Sequence, residues 1–182
     1  STNINVTTVD EVSQLLQEKN GVTVAVCNVN TLVRSYRNKS LQNKINSFDV
    51  KAPDGFPVAK ASSILYKHQQ KRVDGYNIFH KTIEKGIPNK LSHYFFGSDN
   101  ETIKKLITSL TSSYPDINIL GYSCPPYLNF EELVDDVYIK DIVKKNPDIV
   151  WVSLGFPKQE EFINLFTRKM DINSNFVGVG AV

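Results

Sequence analysis

Short apolar runs alternate along the chain with longer segments in which apolar residues recur every three or four positions. The runs are GVTVAVCNVN (21–30), SFDVKAPDG (47–55), LSHYFFGSDN (91–100), INILGYSCPP (117–126), DIVWVSLGFP (148–157) and NFVGVGAV (175–182). They are too short, or too continuously apolar, for half-exposed antiparallel strands. Strands buried on both faces read this way. Between them Val9, Val12, Leu15 and Leu16 share one helical face, as do Ile103, Leu106, Ile107 and Leu110. Ser98 with Glu101 three residues later fits a capping box. Phe162, Ile163 and Phe166 form the inner face of another helix, with Pro157 in its first turn. A further amphipathic helix runs from Phe130 to Lys145 and is closed by Asn146-Pro147.

Strand, loop and helix in repetition predict an α/β fold. The expected architecture is an open, largely parallel, Rossmann-like sheet with helices on both faces, as a single domain over residues 1–182. In such sheets ligands sit beyond the carboxyl ends of the strands. The loops there are Asn28–Thr31, Pro53–Pro57, Gly97–Asn100, Gly121–Tyr127 and Gly155–Glu160. Helix N-termini at those loops offer N–H groups and a positive dipole end to a phosphate.

Four stretches carry candidate chemistry. In DIVWVSLGFPKQEEFI, Gly155 permits a sharp turn and close approach of a ligand. Lys158 and Gln159 are expected to project from the following helix, the lysine toward phosphate and the amide toward a base or sugar. Glu160 and Glu161 also suit a helix N-terminus for structural reasons alone. In APDGFP, Asp54 ends a strand and can take a proton from a sugar hydroxyl; Asp-Gly is equally a common turn dipeptide. In CNVNTL, Asn28 and Asn30 alternate on a strand end, facing one side to bond a sugar or hold a loop, with Thr31 a cap for the next helix. In KRVDGYNIF, Arg72 can grip a diphosphate in bidentate fashion or remain a surface arginine.

Composition narrows the class. The chain has 182 residues, enough for one globular domain, and its net charge of +2 gives no basic stripe for nucleic acid. Cys27 and Cys124 lie far apart with no metal-ligand spacing, which points to a reduced, cytosolic setting. His68, His80 and His93 show no ligand or catalytic spacing and read as surface or core residues. No run is long enough to span a bilayer, and STNINVTTVD is polar from its first residue. No G-x-G-x-x-G and no P-loop motif occurs. NFVGVGAV reads as a strand ending at the last residue, so a C-terminal segment is expected beyond it.

Taken together, these motifs resemble the WecG/TagA/CpsF glycosyltransferases. NPDIVWVSLGFPKQEEFI is similar to the family's Gly-x-Pro-Lys-Gln-Glu signature. APDGFPVA resembles its Asp-Gly segment and KRVDGYNIF its Arg-x-x-Gly segment. YFFGSDNET stands at its glycine-containing strand end, ILGYSCPPY resembles its Gly-x-x-x-Pro-Pro-aromatic stretch, and CNVNTL its strand-one Asn motif. NFVGVGAV resembles the start of its Gly-Val-Gly segment. The order is kept over nearly the whole chain.

The resemblance implies an inverting transfer, without cofactor or metal, of an N-acetylmannosamine-type or related hexose. The donor is a UDP-sugar and the acceptor a lipid-linked (polyprenyl diphosphate) saccharide of teichoic acid, enterobacterial antigen or capsule synthesis. Asp54 matches the proposed base. Asn28, Asn30, Gly55, Arg72, Gly97, Ser98, Tyr122, Gly155, Pro157, Lys158, Gln159 and Glu160 match positions expected to bind substrate. The family often has Thr where Asn28 stands. Its members continue into a basic C-terminal segment linked to membrane binding and leaving-group stabilisation. That implies a cytoplasmic protein, peripheral at the inner face of the membrane, whose surface offers no anchor without that segment. The family reading permits a homo-oligomer. Two other readings differ in class. One is an inactive nucleotide-sugar-binding or assembly module, which would bind UDP without turnover. The other is a flavodoxin-like domain, which would be coloured by flavin.

Overall fold

Val24, Ile149, Val150, Val152 and Val177 are all β-branched, and all are buried. Such residues pack well on a pleated surface covered on both faces. The computed structural model describes residues 1–125, 137–170 and 172–180. Six strands form one sheet: β1 (Thr23–Cys27), β2 (Val50–Pro53), β3 (Ser92–Gly97), β4 (Asn118–Ser123), β5 (Ile149–Ser153) and β6 (Asn175–Gly178). Their order is β2-β1-β6-β5-β3-β4, and every pair is parallel.

The helices are α1 (Val9–Glu18), α2 (Val29–Arg37), α3 (Lys39–Asn46), α4 (Phe56–Tyr66), α5 (Gly75–Gly86), α6 (Asn100–Ser113), α7 (Val137–Lys145) and α8 (Lys158–Lys169). Residues 126–136, which the sequence reading placed partly in a helix from Phe130, lie outside the described residues; Val137–Lys145 is helical as expected.

The period of two along the strands divides the core. Val24, Val26, Phe95, Ile149 and Trp151 face one layer, where Val12 and Leu16 of α1, Ile78 and Phe79 of α5 and Ile103 of α6 meet them. Ala25, Cys27, Tyr94, Phe96, Val150 and Val152 face the other, under Leu41 and Ile45 of α3, Ile139 and Ile142 of α7, and Phe162 and Phe166 of α8. Each large side chain so buried contributes about 1.5–3 kcal/mol. The doubly covered parallel sheet is the architecture that the apolar runs predict.

Local signals differ from expectation at three helix starts. The N-cap of α6 is Asp99, whose carboxylate accepts the Glu101 and Thr102 N–H groups; Ser98 is not the cap. A carboxylate one residue later than Ser98 reaches the same N–H groups and carries charge toward the helix dipole. Asn28 caps α2 through the Thr31 N–H, so Thr31 receives the cap and does not supply it. Strand β1 has already ended at Cys27. Asn28 and Asn30 therefore sit at the cap and in the first turn of a helix and do not alternate on a strand. Pro157 is the N-cap position of α8, one residue before the helical turn assigned to it.

The topology selects a place for a ligand. After β3 the chain moves outward through α6 to β4; after β5 it moves the other way through α8 to β6. β3 and β5 are neighbours, so the connections diverge at their carboxyl ends. That divergence is where open α/β sheets form a crevice. Gly97, Ser98 and Ser153 rim a recess there, floored by Phe96 and Trp151.

Candidate active site

The carboxyl ends of the strands bring most of the expected residues to one rim, in an order that the sheet dictates. Asp54 and Gly55 follow β2, Asn28 follows β1, Gly155–Glu160 follow β5, and Gly97 and Ser98 close β3. With strands about 4.8 Å apart, Asp54 and Gly97 are separated by four spacings, roughly 19 Å. A ligand that touched both would lie across β1, β6 and β5.

At the β2 side, Asp54 is tied into the sheet by its N–H to the Cys27 carbonyl (3.1 Å). Its side chain is 19% exposed, and Arg72 Nε donates to Oδ1 at 3.0 Å. Arg72 also lies 3.6 Å from Asp74. These acidic neighbours raise the Arg72 pKa further, the Asp54 hydrogen bond first. Asp74 is nearly buried, caps α5 through the Asn77 N–H and binds the Asn77 amide. The next residue explains the Val-Asp-Gly spelling. A Cβ on Gly75 would sit 2.8 Å from the Val179 carbonyl oxygen, so only glycine lets α5 start against the end of β6. The segment is anchored on its other side by the Val73 N–H, which donates to the Pro53 carbonyl (3.0 Å). The sequence singles out Arg72, and Gly75 only as the glycine of the Arg-x-x-Gly resemblance; Asp74 is not singled out, though the Asp-Gly cap signal is its available clue.

The central turn answers differently from expectation. Gly155 has φ +73°, and nothing stands within 4 Å of where its Cβ would be, so the turn is open above. Lys158 begins α8 there and is partly buried. Gln159 does not project outward. It is 2% exposed, its Oε1 accepts the Gly180 N–H (3.0 Å), and Gly178 packs on its amide. The helical position after Lys158 is turned about 100° toward the sheet, where a backbone N–H at the end of β6 needs an acceptor. Glu160 is buried as well. Its Oε1 accepts from Gln159 Nε2 (3.0 Å), and its Oε2 has no hydrogen-bond partner among the described residues. Burial raises its pKa to about 7. The two side chains form a strut beneath the rim.

The strut continues sideways. The Ser153 hydroxyl donates to the Gly180 carbonyl (2.6 Å), and the Ser98 N–H donates to the Ser153 carbonyl (3.1 Å). Ser98 holds φ +62°, a left-handed conformation uncommon outside glycine. Gly97 has φ +111°, and any Cβ there would collide with the Ser153 carbonyl. Ser153 and Gly180 were not among the expected residues; neither carries a sequence signal apart from glycine at a strand end.

Tyr122 is the outlier. It lies within β4, at the opposite edge of the sheet from Asp54, and packs partly buried against the α6 side of the core. Five strand spacings, roughly 24 Å, separate the two. His93 is buried in β3, accepts from Trp151 Nε1 (3.2 Å), and has its pKa lowered to about 4 by burial. It is the core histidine expected. Both cysteines are free thiols, and burial pushes Cys27 up to about 12.

Helix termini distinguish the parts of the rim. The N-termini of α2, α5 and α6 are occupied by Asn28, Asp74 and Asp99. Those of α4, after Gly55, and of α8, after Pro157, have no side-chain cap. Among the described helix starts on this rim these two leave room for an anion, although the Gln159 N–H of α8 already donates to the Gly155 carbonyl (3.0 Å). Among the described residues no group of three metal-ligating side chains assembles.

The sequence profile described as the Glycosyl transferase WecG/TagA/CpsF family matches residues 1–182. An N-acetylglucosaminyldiphosphoundecaprenol N-acetyl-beta-D-mannosaminyltransferase of Bacillus subtilis (strain 168) is 29% identical over 163 residues, covering 86% of this chain and 61% of the relative. Proteins of the same description from Bacillus spizizenii (28% identical; 91% of this chain, 62% of the relative) and Staphylococcus aureus strain NCTC 8325 (24%; 90% and 62%) also match. The chain spans about three fifths of the length of these relatives.

Proposed function

The chain belongs to the WecG/TagA/CpsF glycosyl transferase family, and from that premise we propose that it transfers an N-acetylmannosamine-type sugar from a UDP-sugar to a lipid-linked saccharide. The relatives' descriptions name an N-acetylmannosaminyl transfer to N-acetylglucosaminyldiphosphoundecaprenol. The observation that carries the reading is Asp54: a carboxylate on the rim, its side chain 19% exposed, with Oδ1 held by Arg72 and no hydrogen bond to Oδ2 from a described residue.

In this reading the nucleotide lies over the β3–β5 divergence. The diphosphate meets the uncapped N-terminus of α8 and Lys158, and the sugar reaches toward β1 and β2. Asp54 takes the proton from the acceptor hydroxyl. The hydroxyl oxygen bonds to the anomeric carbon as the bond to the UDP oxygen breaks on the opposite face, so the configuration inverts. Arg72 orients the carboxylate, and charge on the departing diphosphate is stabilised by helix N–H groups and cations already in place. Gln159 and Glu160 support the rim from below; direct contact with the nucleotide is not assigned to them. A basic C-terminal segment, as in the family, would supply further positive charge to the leaving group and contact with the membrane.

Calorimetry with UDP and a panel of UDP-sugars, with and without Mg²⁺, tests the donor. Binding without Mg²⁺, strongest for one UDP-sugar, is the expected result. The absence of binding, both here and in a protein of the relatives' full length, would sink the proposal. Binding without turnover at full length would instead favour an inactive module.

A further inference from the structure

Among the described residues, exposed large apolar side chains gather on two helices, Val29, Val33 and Tyr36 on α2 and a larger group on α4. On α4, Phe56, Ile64, Leu65 and Tyr66 are between 61% and 75% exposed. Val58, Ala59 and Ser62 face the protein, and positions 56, 57, 60, 61, 64 and 65 make the opposite face. Lys60 stands in the middle of that face, and Lys67 follows the helix; both are exposed. From Gly55 to Val73 the chain carries Lys60, Lys67, Lys71 and Arg72 and not one carboxylate. An exposed apolar helix face within a purely cationic stretch is the composition of a surface that lies on anionic lipid. Its position adds to this: α4 starts two residues after Asp54, and the cationic stretch ends at Arg72, on Asp54.

We propose that the outer face of α4, with Lys60 and Lys67, docks on an anionic bilayer surface and holds the Asp54 rim toward the membrane. The inference rests on the reading of Asp54 as the group that meets a lipid-linked acceptor. It replaces the expectation that the surface lacks an anchor. The apolar side chains enter the headgroup boundary, and the lysines meet lipid phosphates. A second copy of the chain carries the same lysines on this face and would bring like charges together.

The test is sedimentation of the 182-residue chain with phosphatidylglycerol/phosphatidylcholine vesicles and with phosphatidylcholine alone. Binding to the anionic vesicles that weakens with salt is expected. The pairs Ile64→Ser/Leu65→Ser and Lys60→Glu/Lys67→Glu each weaken it by about tenfold or more, with melting temperature and UDP affinity unchanged. No vesicle binding, or binding indifferent to both pairs, overturns the proposal. So does loss of self-association in Ile64→Ser/Leu65→Ser with vesicle binding intact, which would make the face a contact between copies. UDP affinity on the same samples separates this result from failure of the transferase reading, which predicts nucleotide binding whatever the vesicles show.

Discussion

Arg72 Nε lies 3.0 Å from Asp54 Oδ1, though the two residues come from separate loops flanking α4. The pair is held by backbone on both sides: Asp54 N–H to the Cys27 carbonyl, and Val73 N–H to the Pro53 carbonyl. It therefore reports directly on the proposed chemistry. Asp54→Asn keeps the shape and an oxygen for Arg72 but removes the base. Turnover is expected to fall by about 10²–10⁴-fold, with UDP-sugar affinity within a few-fold of the parent. Equal activity in a single-turnover assay would remove Asp54 from the base role. Arg72→Lys is expected to lower kcat more than affinity, because an ammonium cannot hold the carboxylate in the same plane.

Gln159→Ala tests the strut. The Gly180 N–H would lose its acceptor and the Gln159 site would leave a gap against Gly178. A cost of about 1–3 kcal/mol is expected from the orphaned donor, seen as a lower melting temperature without ligand. Weaker UDP binding should accompany it. Weaker binding with an unchanged melt would mean that Gln159 touches the nucleotide directly.

Glycines on the rim are expected to separate by surroundings. Gly75→Ala forces a Cβ against the Val179 backbone at 2.8 Å, and Gly97→Ala adds a collision to φ +111°. Both should destabilise by about 2 kcal/mol or more. Gly155→Ala has open space at φ +73° and should cost only about 1–2 kcal/mol, from backbone conformation alone. Denaturant melts of the three variants rank them.

Glu160 should make stability fall as pH rises. Its carboxyl ionises near 4.5 when exposed and near 7 in the fold, chiefly because burial disfavours the charge. A raised folded pKa gives stability that is complete below 4.5 and is lost as pH passes through 7. The full swing is about 3 kcal/mol at most. Glu160→Gln should remove that component, flatten the melting temperature between pH 5 and 8 (approximate limits of the titration), and leave the variant the more stable at the alkaline end. An unchanged pH profile would show that the carboxyl stays solvated.

Motif residues were legible wherever chemistry and local conformation coincide. Asp54-Gly55 at a strand end and the turn at Gly155 could be read from residue type and position, whereas the positive φ of Gly97 appears only in the structure. Ser153 could not be read in this way. Its role depends on the Gly180 carbonyl, 27 residues along the chain, whereas the partners of Asp74, Arg72 and the first turn of α5, lie within three residues of it. Gln159 was read by residue type, as an amide available to a ligand, while its direction depends on where β6 ends.

Apolar periodicity and residue hydrophobicity are local properties of the chain, so the sequence by itself determined the strands, most helices and the doubly covered parallel sheet. Strand order is not local. It follows from how separate apolar faces find the least exposed arrangement, and that arrangement inserts β6 between β1 and β5. The insertion brings Gly180 onto Gln159 and Val179 onto Gly75. It also spaces Asp54 and Gly97 across four strand intervals and leaves the cationic face of α4 at the sheet's edge. Those relations exist only once the chain is packed, because each joins groups that no short stretch of sequence holds together.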